Sequence, residues 1–155
     1  MRTNIRTSGV LIHNEHVLLH KMDDFWILPG GAVEFNGVDF ETTMEALRRE
    51  YKEELDVEIN IIKLLWVAEN FFEYENKKEQ GIEFYYLIEV STDTSIYEQR
   101  SFEGYEHESN SVLKFRWFKI DEIDSITILP MFLNEYLKKL KETPKEIEHI
   151  ISKKV

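Results

Sequence analysis

The stretch that most constrains this chain runs from Gly30 to Val57, GGAVEFNGVDFETTMEALRREYKEELDV. Thr42 to Leu55 reads as a helix. Thr42-x-x-Glu45 is a capping-box pattern, in which a hydroxyl and a carboxylate satisfy free N–H groups at a helix start. Met44, Leu47, Tyr51 and Leu55 recur at spacings of three and four and form one apolar stripe. Glu50, Glu53 and Glu54 are then related as i, i+3 and i+4 and share a face. Acids so placed repel one another, at roughly a few tenths of a kcal/mol per pair. They also sit toward the helix C-terminus, where the macrodipole disfavours negative charge. A hard divalent cation would remove both penalties, because carboxylate oxygens are ligands that Mg²⁺ and Mn²⁺ prefer. The plain alternative is a solvated acidic face balanced by Arg48, Arg49 and Lys52.

The residues before the helix favour the ion. Trp26-Ile27-Leu28-Pro29-Gly30-Gly31 is a short apolar strand that runs into a loop. Its glycines let backbone come close to a ligand or an ion. From Glu41 onward, seven residues lead to Arg49-Glu50-Tyr51-Lys52-Glu53-Glu54, and Val57 follows. This pattern resembles the box of the Nudix hydrolase family, G-x5-E-x7-R-E-U-x-E-E-x-G-U, with U aliphatic. Three departures stand out. Gly31 and Glu41 enclose nine residues, four more than the pattern, around Phe35-Asn36-Gly37-Val38. Tyr51 replaces an aliphatic residue, and Asp56 replaces the second glycine. Asp tolerates left-handed backbone better than most residues, so the helix end can survive that change. Glu34 and Glu41 are both candidates for the acidic anchor of the longer loop; the spacing to Arg49 selects Glu41.

With 155 residues, the chain is long enough for one domain, 1–155, with a substantial core. There is no cysteine, which excludes disulfides and thiolate catalysis. The net charge of −11 argues against duplex nucleic acid or an anionic membrane as partner, since both need basic patches. A small phosphorylated substrate stays compatible if metal ions bridge the like charges. No apolar run is long enough to span a bilayer and the N-terminus shows no signal-peptide pattern, so a cytoplasmic protein is expected. The oligomeric state is left open, a homodimer included.

Taken in order, Val10-Leu11-Ile12 and Val17-Leu18-Leu19 flank His13-Asn14-Glu15-His16, a hairpin with a tight polar turn. His13, His16 and His20 fit no helical metal pattern. Phe25 to Leu28 is a third strand. Val57 to Ala68 is β-branched and apolar, hence strand. Glu75 to Gly81 reads as a polar turn and Ile82 to Val90 as the returning strand. Ser91 to Ser111 has no apolar period and reads as a long loop of the kind that often carries function. Val112 to Ile120 is a strand, and Pro130 to Glu142 a helix with an apolar stripe through Leu133 and Leu137. Ile147 to Val155 is ambiguous; Thr143-Pro144-Lys145-Glu146 would suit the start of a short helix.

The resemblance implies an α+β fold: a mixed central sheet sandwiched between helices in α-β-α layers. It also implies metal-dependent hydrolysis of a diphosphate linkage in a nucleoside diphosphate joined to another group, with Mg²⁺ as cofactor and Mn²⁺ as substitute. Glu50 and Glu54 are then the first-choice metal ligands, with the Gly31 carbonyl as a third. Glu53 either completes a second metal site or holds the attacking water as base. Arg49 pairs with Glu41 or with a ligand carboxylate and fixes its rotamer. A further acid from the 91–111 loop is expected, with Glu106 and Glu108 as candidates. Phe71, Phe84 and Tyr105 are candidates for a nucleobase wall, although aromatic rings are more often core. The rival reading is a catalytically inactive ligand-binding or regulatory domain of the same fold.

Overall fold

The computed structural model describes residues 3–35 and 39–154. Part of the lengthened loop, 36–38, lies outside the described residues. Two hairpins set the frame. Strand β1 (Thr3–His13) turns into β2 (His16–Lys21), and β5 (Ile59–Tyr74) turns into β6 (Lys77–Val90). Both turns are two residues long with positive φ at both positions: 48° and 63° at Asn14 and Glu15, 49° and 62° at Glu75 and Asn76. Such turns match the natural twist of the strands they join. The second turn is therefore shorter than the polar composition of Glu75 to Gly81 suggests. Lys77 to Gly81 pairs fully with β5 and projects its charges to solvent.

Two short strands, β3 (Trp26–Ile27) and β4 (Gly30–Ala32), follow β2. β4 corrects the expected open Gly30-Gly31 loop, because both glycines are buried and paired with Ser8 and Thr7 of β1. The expected loop 91–111 is also corrected. It contains a 3-10 turn (Ser95–Tyr97) and strand β7 (Ser101–Glu106), which pairs antiparallel with β8 (Ser111–Lys119). The C-terminal segment forms strand β9 (Glu148–Lys154), parallel to β5, rather than a helix. The sheet is mixed, with the order β7-β8-β2-β1-β6-β5-β9; β3 pairs with β2 and β4 with β1.

Helix α1 (Thr43–Leu55) covers one face and helix α2 (Phe132–Lys138) the other. Strand alternation separates two cores. Leu11, Leu18, Tyr86, Ile88 and Phe115 pack with Leu47 and Tyr51 of α1. Val10, Val17, Leu19, Tyr85 and Phe118 pack with Leu133 and Leu137 of α2. The layering is thus helix, mixed sheet, helix, and the fold is α+β. α2 is shorter than the expected Pro130 to Glu142. Among the described residues, no helix is long and apolar enough to cross a membrane.

Candidate active site

Helix α1 is fixed at both ends. The Thr42 hydroxyl accepts from the Glu45 N–H at 3.1 Å. Asp56 closes the helix in left-handed conformation, φ 53° and ψ 41°, its N–H donating to the Lys52 carbonyl. Asp56 thus takes the conformation that the glycine of the box pattern would favour. Tyr51 and Leu47 anchor the inner face, 1% and 0% exposed. With the helix set in depth and rotation, Glu50 and Glu54 point into a cleft of about 1110 Å³.

Arg49 organises the box. Its Nε and Nη2 donate to both oxygens of Glu41, at 2.7 and 3.0 Å, a bidentate fork. Its Nη1 donates to Glu50 at 3.0 Å and to Glu53 at 3.3 Å. Nη2 also reaches the Ala32 carbonyl at 3.2 Å. The Glu34 N–H donates to Glu41 at 3.0 Å, so the same carboxylate closes the base of the longer loop. The Glu34 side chain approaches Arg49 only to 3.9 Å. Hydrogen bonds from Arg49 hold the Glu41 carboxyl below the usual carboxylate range and raise the guanidinium further above its own.

Glu50 and Glu54 lie one helical turn apart and share a hydrogen bond. Burial raises the Glu50 carboxyl. Burial first, then the charge of Glu50, pushes Glu54 up to about 8, so the pair holds a proton more readily than free carboxylates do. Gly31 lies against Glu50, and a Cβ there would collide with the Glu50 carboxylate. Gly104 of β7 plays a similar part at the helix end, where a side chain would strike the Glu54 carbonyl. Glu106, two residues along β7, is close enough for its charge to act on Glu54 and on His20, and it accepts from Ser109 Oγ at 3.1 Å.

Gly31, Glu50, Glu54, Glu106 and Glu108 all line the cleft. Glu53 does not; its side chain is about half exposed and turned toward Arg49. Three expected rings lie elsewhere. Phe84 packs on the core beneath α1, and Phe71 lies on the β5–β6 arm with Lys153 Nζ 5.8 Å from its ring. Tyr105 meets His107 edge-on at 4.8 Å. Aromatic content alone cannot tell a ring that lines a cleft from one that covers a sheet. Among the cleft residues that sequence reasoning missed are Arg6 and His20. For His20 a signal existed: it alternates with Leu18 on β2 and so faces the α1 side. For Arg6 there was none.

The donor set suits a divalent ion. Two half-buried carboxylates are held together, each with its proton affinity raised, beside a glycine with no side chain to block approach. Among the described residues, no three acidic or histidine side chains form a ready-made ion cage. A dication would take the place of the proton between Glu50 and Glu54.

The family model for the NUDIX domain matches residues 3–140. Comparison with curated protein sequences gave no match. Similar solved structures include an ADP-ribose pyrophosphatase from Streptococcus suis, 14% identical, TM-score 0.61, covering 96% of this chain and 99% of that one. A MutT NUDIX hydrolase from Burkholderia pseudomallei is 20% identical with TM-score 0.64, covering 91% and 100%. A UDP-X diphosphatase is 16% identical with TM-score 0.63, covering 97% and 68%. At these identities the likeness speaks to the fold. The match over 3–140, on a chain that carries Arg49, Glu50, Glu53 and Glu54 in register, establishes that the chain belongs to the NUDIX domain family and is a Nudix-type hydrolase.

Proposed function

We propose that the chain hydrolyses a diphosphate linkage in a nucleoside diphosphate joined to a second group, with Mg²⁺ or Mn²⁺ held at Glu50 and Glu54. The observation that carries this reading is the half-buried pair Glu50 and Glu54, one turn apart in the cleft with Gly31 against Glu50, whose remaining mutual repulsion a divalent cation would relieve. A phosphoanhydride is protected by its own negative charge, which repels hydroxide. A divalent ion bound here neutralises that charge, orients the anhydride and lowers the pKa of bound water. The protein's part is placement. Glu50 and Glu54 hold the ion, with the Gly31 carbonyl as a third donor. Arg49 locks Glu50 in one rotamer and ties the loop to the helix through Glu41. Glu106, which lines the same cleft and whose charge acts on Glu54, is the acid that would take a proton from the attacking water. Glu53 is less suited, because Arg49 already engages its carboxylate.

The test is a panel of diphosphates (ADP-ribose, nucleotide sugars, nucleoside triphosphates, dinucleoside polyphosphates) assayed with Mg²⁺ and with Mn²⁺, reading product identity. Metal-dependent release from at least one member is expected. Glu54→Gln should lower that turnover by ~10²-fold or more with the fold retained. Near-full activity in Glu54→Gln would remove the site assignment.

A further inference from the structure

Arg6 is a cation without a counter-ion in a place where one is needed. On β1 it stands in register between Ala32 of β4 and Glu83 of β6. Glu83 is the obvious partner, directly across the ladder and only 6% exposed. Yet the Glu83 carboxylate is occupied otherwise: it accepts from the Tyr85 hydroxyl and from Asn70 Nδ2, the latter at 3.0 Å. Among the described residues, no carboxylate lies within ion-pair distance of Arg6, and its guanidinium reaches the Leu28 carbonyl at 3.4 Å. A half-buried guanidinium left in this state carries a desolvation cost that a neutral carbonyl does little to offset.

The setting names the missing anion. Arg6 lines the same cleft as Gly31, Glu50 and Glu54, and its charge is felt at Glu54 and at His20. His20 is 8% exposed and stacked on Phe115 at 4.9 Å. In a chain of net charge −11 the cleft collects four cations, Arg6, Lys21, Lys114 and Arg116, of which Arg6 is the one whose charge acts on Glu54, and a guanidinium is matched in shape to phosphoryl oxygens. We propose that Arg6, with His20 beside it, forms the floor of the cleft that binds a phosphoryl group of the diphosphate other than the one engaged at Glu50 and Glu54. Burial and Arg6 hold the His20 imidazole down to about 4, so it offers a hydrogen bond without charge. The proposal rests on the diphosphate reading and adds to it the residue that grips the second phosphate. The competing role for Arg6 is to balance Glu54 and thereby set metal affinity.

The experiment separates these. Methylenediphosphonate, an unhydrolysable diphosphate, is titrated calorimetrically into the Mg²⁺-loaded protein, and Mn²⁺ affinity is measured separately by electron paramagnetic resonance. Arg6→Gln should weaken diphosphonate binding by ~10-fold or more, the scale of one lost charge-assisted contact, with Mn²⁺ affinity within ~2-fold of wild type. Arg6→Lys, which keeps the charge and loses the fork, should fall between. In the wild type, the Arg6 Nε–H resonance should shift when diphosphonate is added. Wild-type binding by Arg6→Gln, a parallel loss of Mn²⁺ and diphosphonate, or a motionless Nε–H resonance would each overturn the proposal. Should the wild type fail to bind diphosphonate at all, the diphosphate reading itself falls.

Discussion

At the scale of single residues, Glu54 is the most strained electrostatically. It is an acid whose folded state holds its proton far more tightly than the unfolded chain does, at about 8 against the ordinary 4.5. Below the unfolded value both states are protonated and Glu54 contributes no difference. Between about 4.5 and 8 the unfolded chain ionises while the folded one does not, so stability falls as pH rises. Urea denaturation in chelator should therefore show a metal-free protein that weakens from pH 5 to pH 8 and levels off above. Glu54→Gln, whose amide can replace the shared proton as donor to Glu50, should remove most of that slope. An unchanged slope would show that Glu54 is not the group responsible. Other residue assignments were readable from spacing alone. Glu41, eight residues before Arg49, receives the guanidinium fork, whereas Glu34 stands 3.9 Å off.

At the scale of elements, legibility followed apolar period. α1 was expected from Thr42 to Leu55 and runs from Thr43 to Leu55 with Thr42 as its cap. The hairpin cores were equally plain. β7 was not, and the reason is chemical. Its inward positions are Phe102, Gly104 and Glu106, where a core strand would carry three apolar side chains. Gly104 is there to let the end of α1 come close, and Glu106 faces the cleft. The strand is unreadable because it serves the site. β9 was hidden for another reason: it is an edge strand with few buried side chains, of which Ile150 is 5% exposed. Ile150 packs in the core that α2 covers, so β9 is structural rather than an appended tail. Ile150→Ala should cost about 2–3 kcal/mol in a chemical denaturation curve, typical of a truncated buried aliphatic. A loss under about 0.5 kcal/mol, the range of surface changes, would mean that β9 does not hold the sheet edge.

At the scale of the whole molecule, the two cores divide the labour. The α2 face holds β5, β6 and β9 together, and the α1 face sets a rigid helix against β4 and β7 around the cleft. The geometry of the box was legible in the sequence because a long charged pattern must sit at fixed helical spacing. The walls of the cleft were not legible, because Arg6, His20 and Glu106 come from three strands whose juxtaposition no local pattern encodes. The central claim is that Glu50 and Glu54 are brought together to hold a divalent ion beside Gly31. The most direct test is an anomalous difference map from a crystal soaked in Mn²⁺. The account predicts a manganese peak between the Glu50 and Glu54 carboxylates and the Gly31 backbone. A map with no peak there would contradict it.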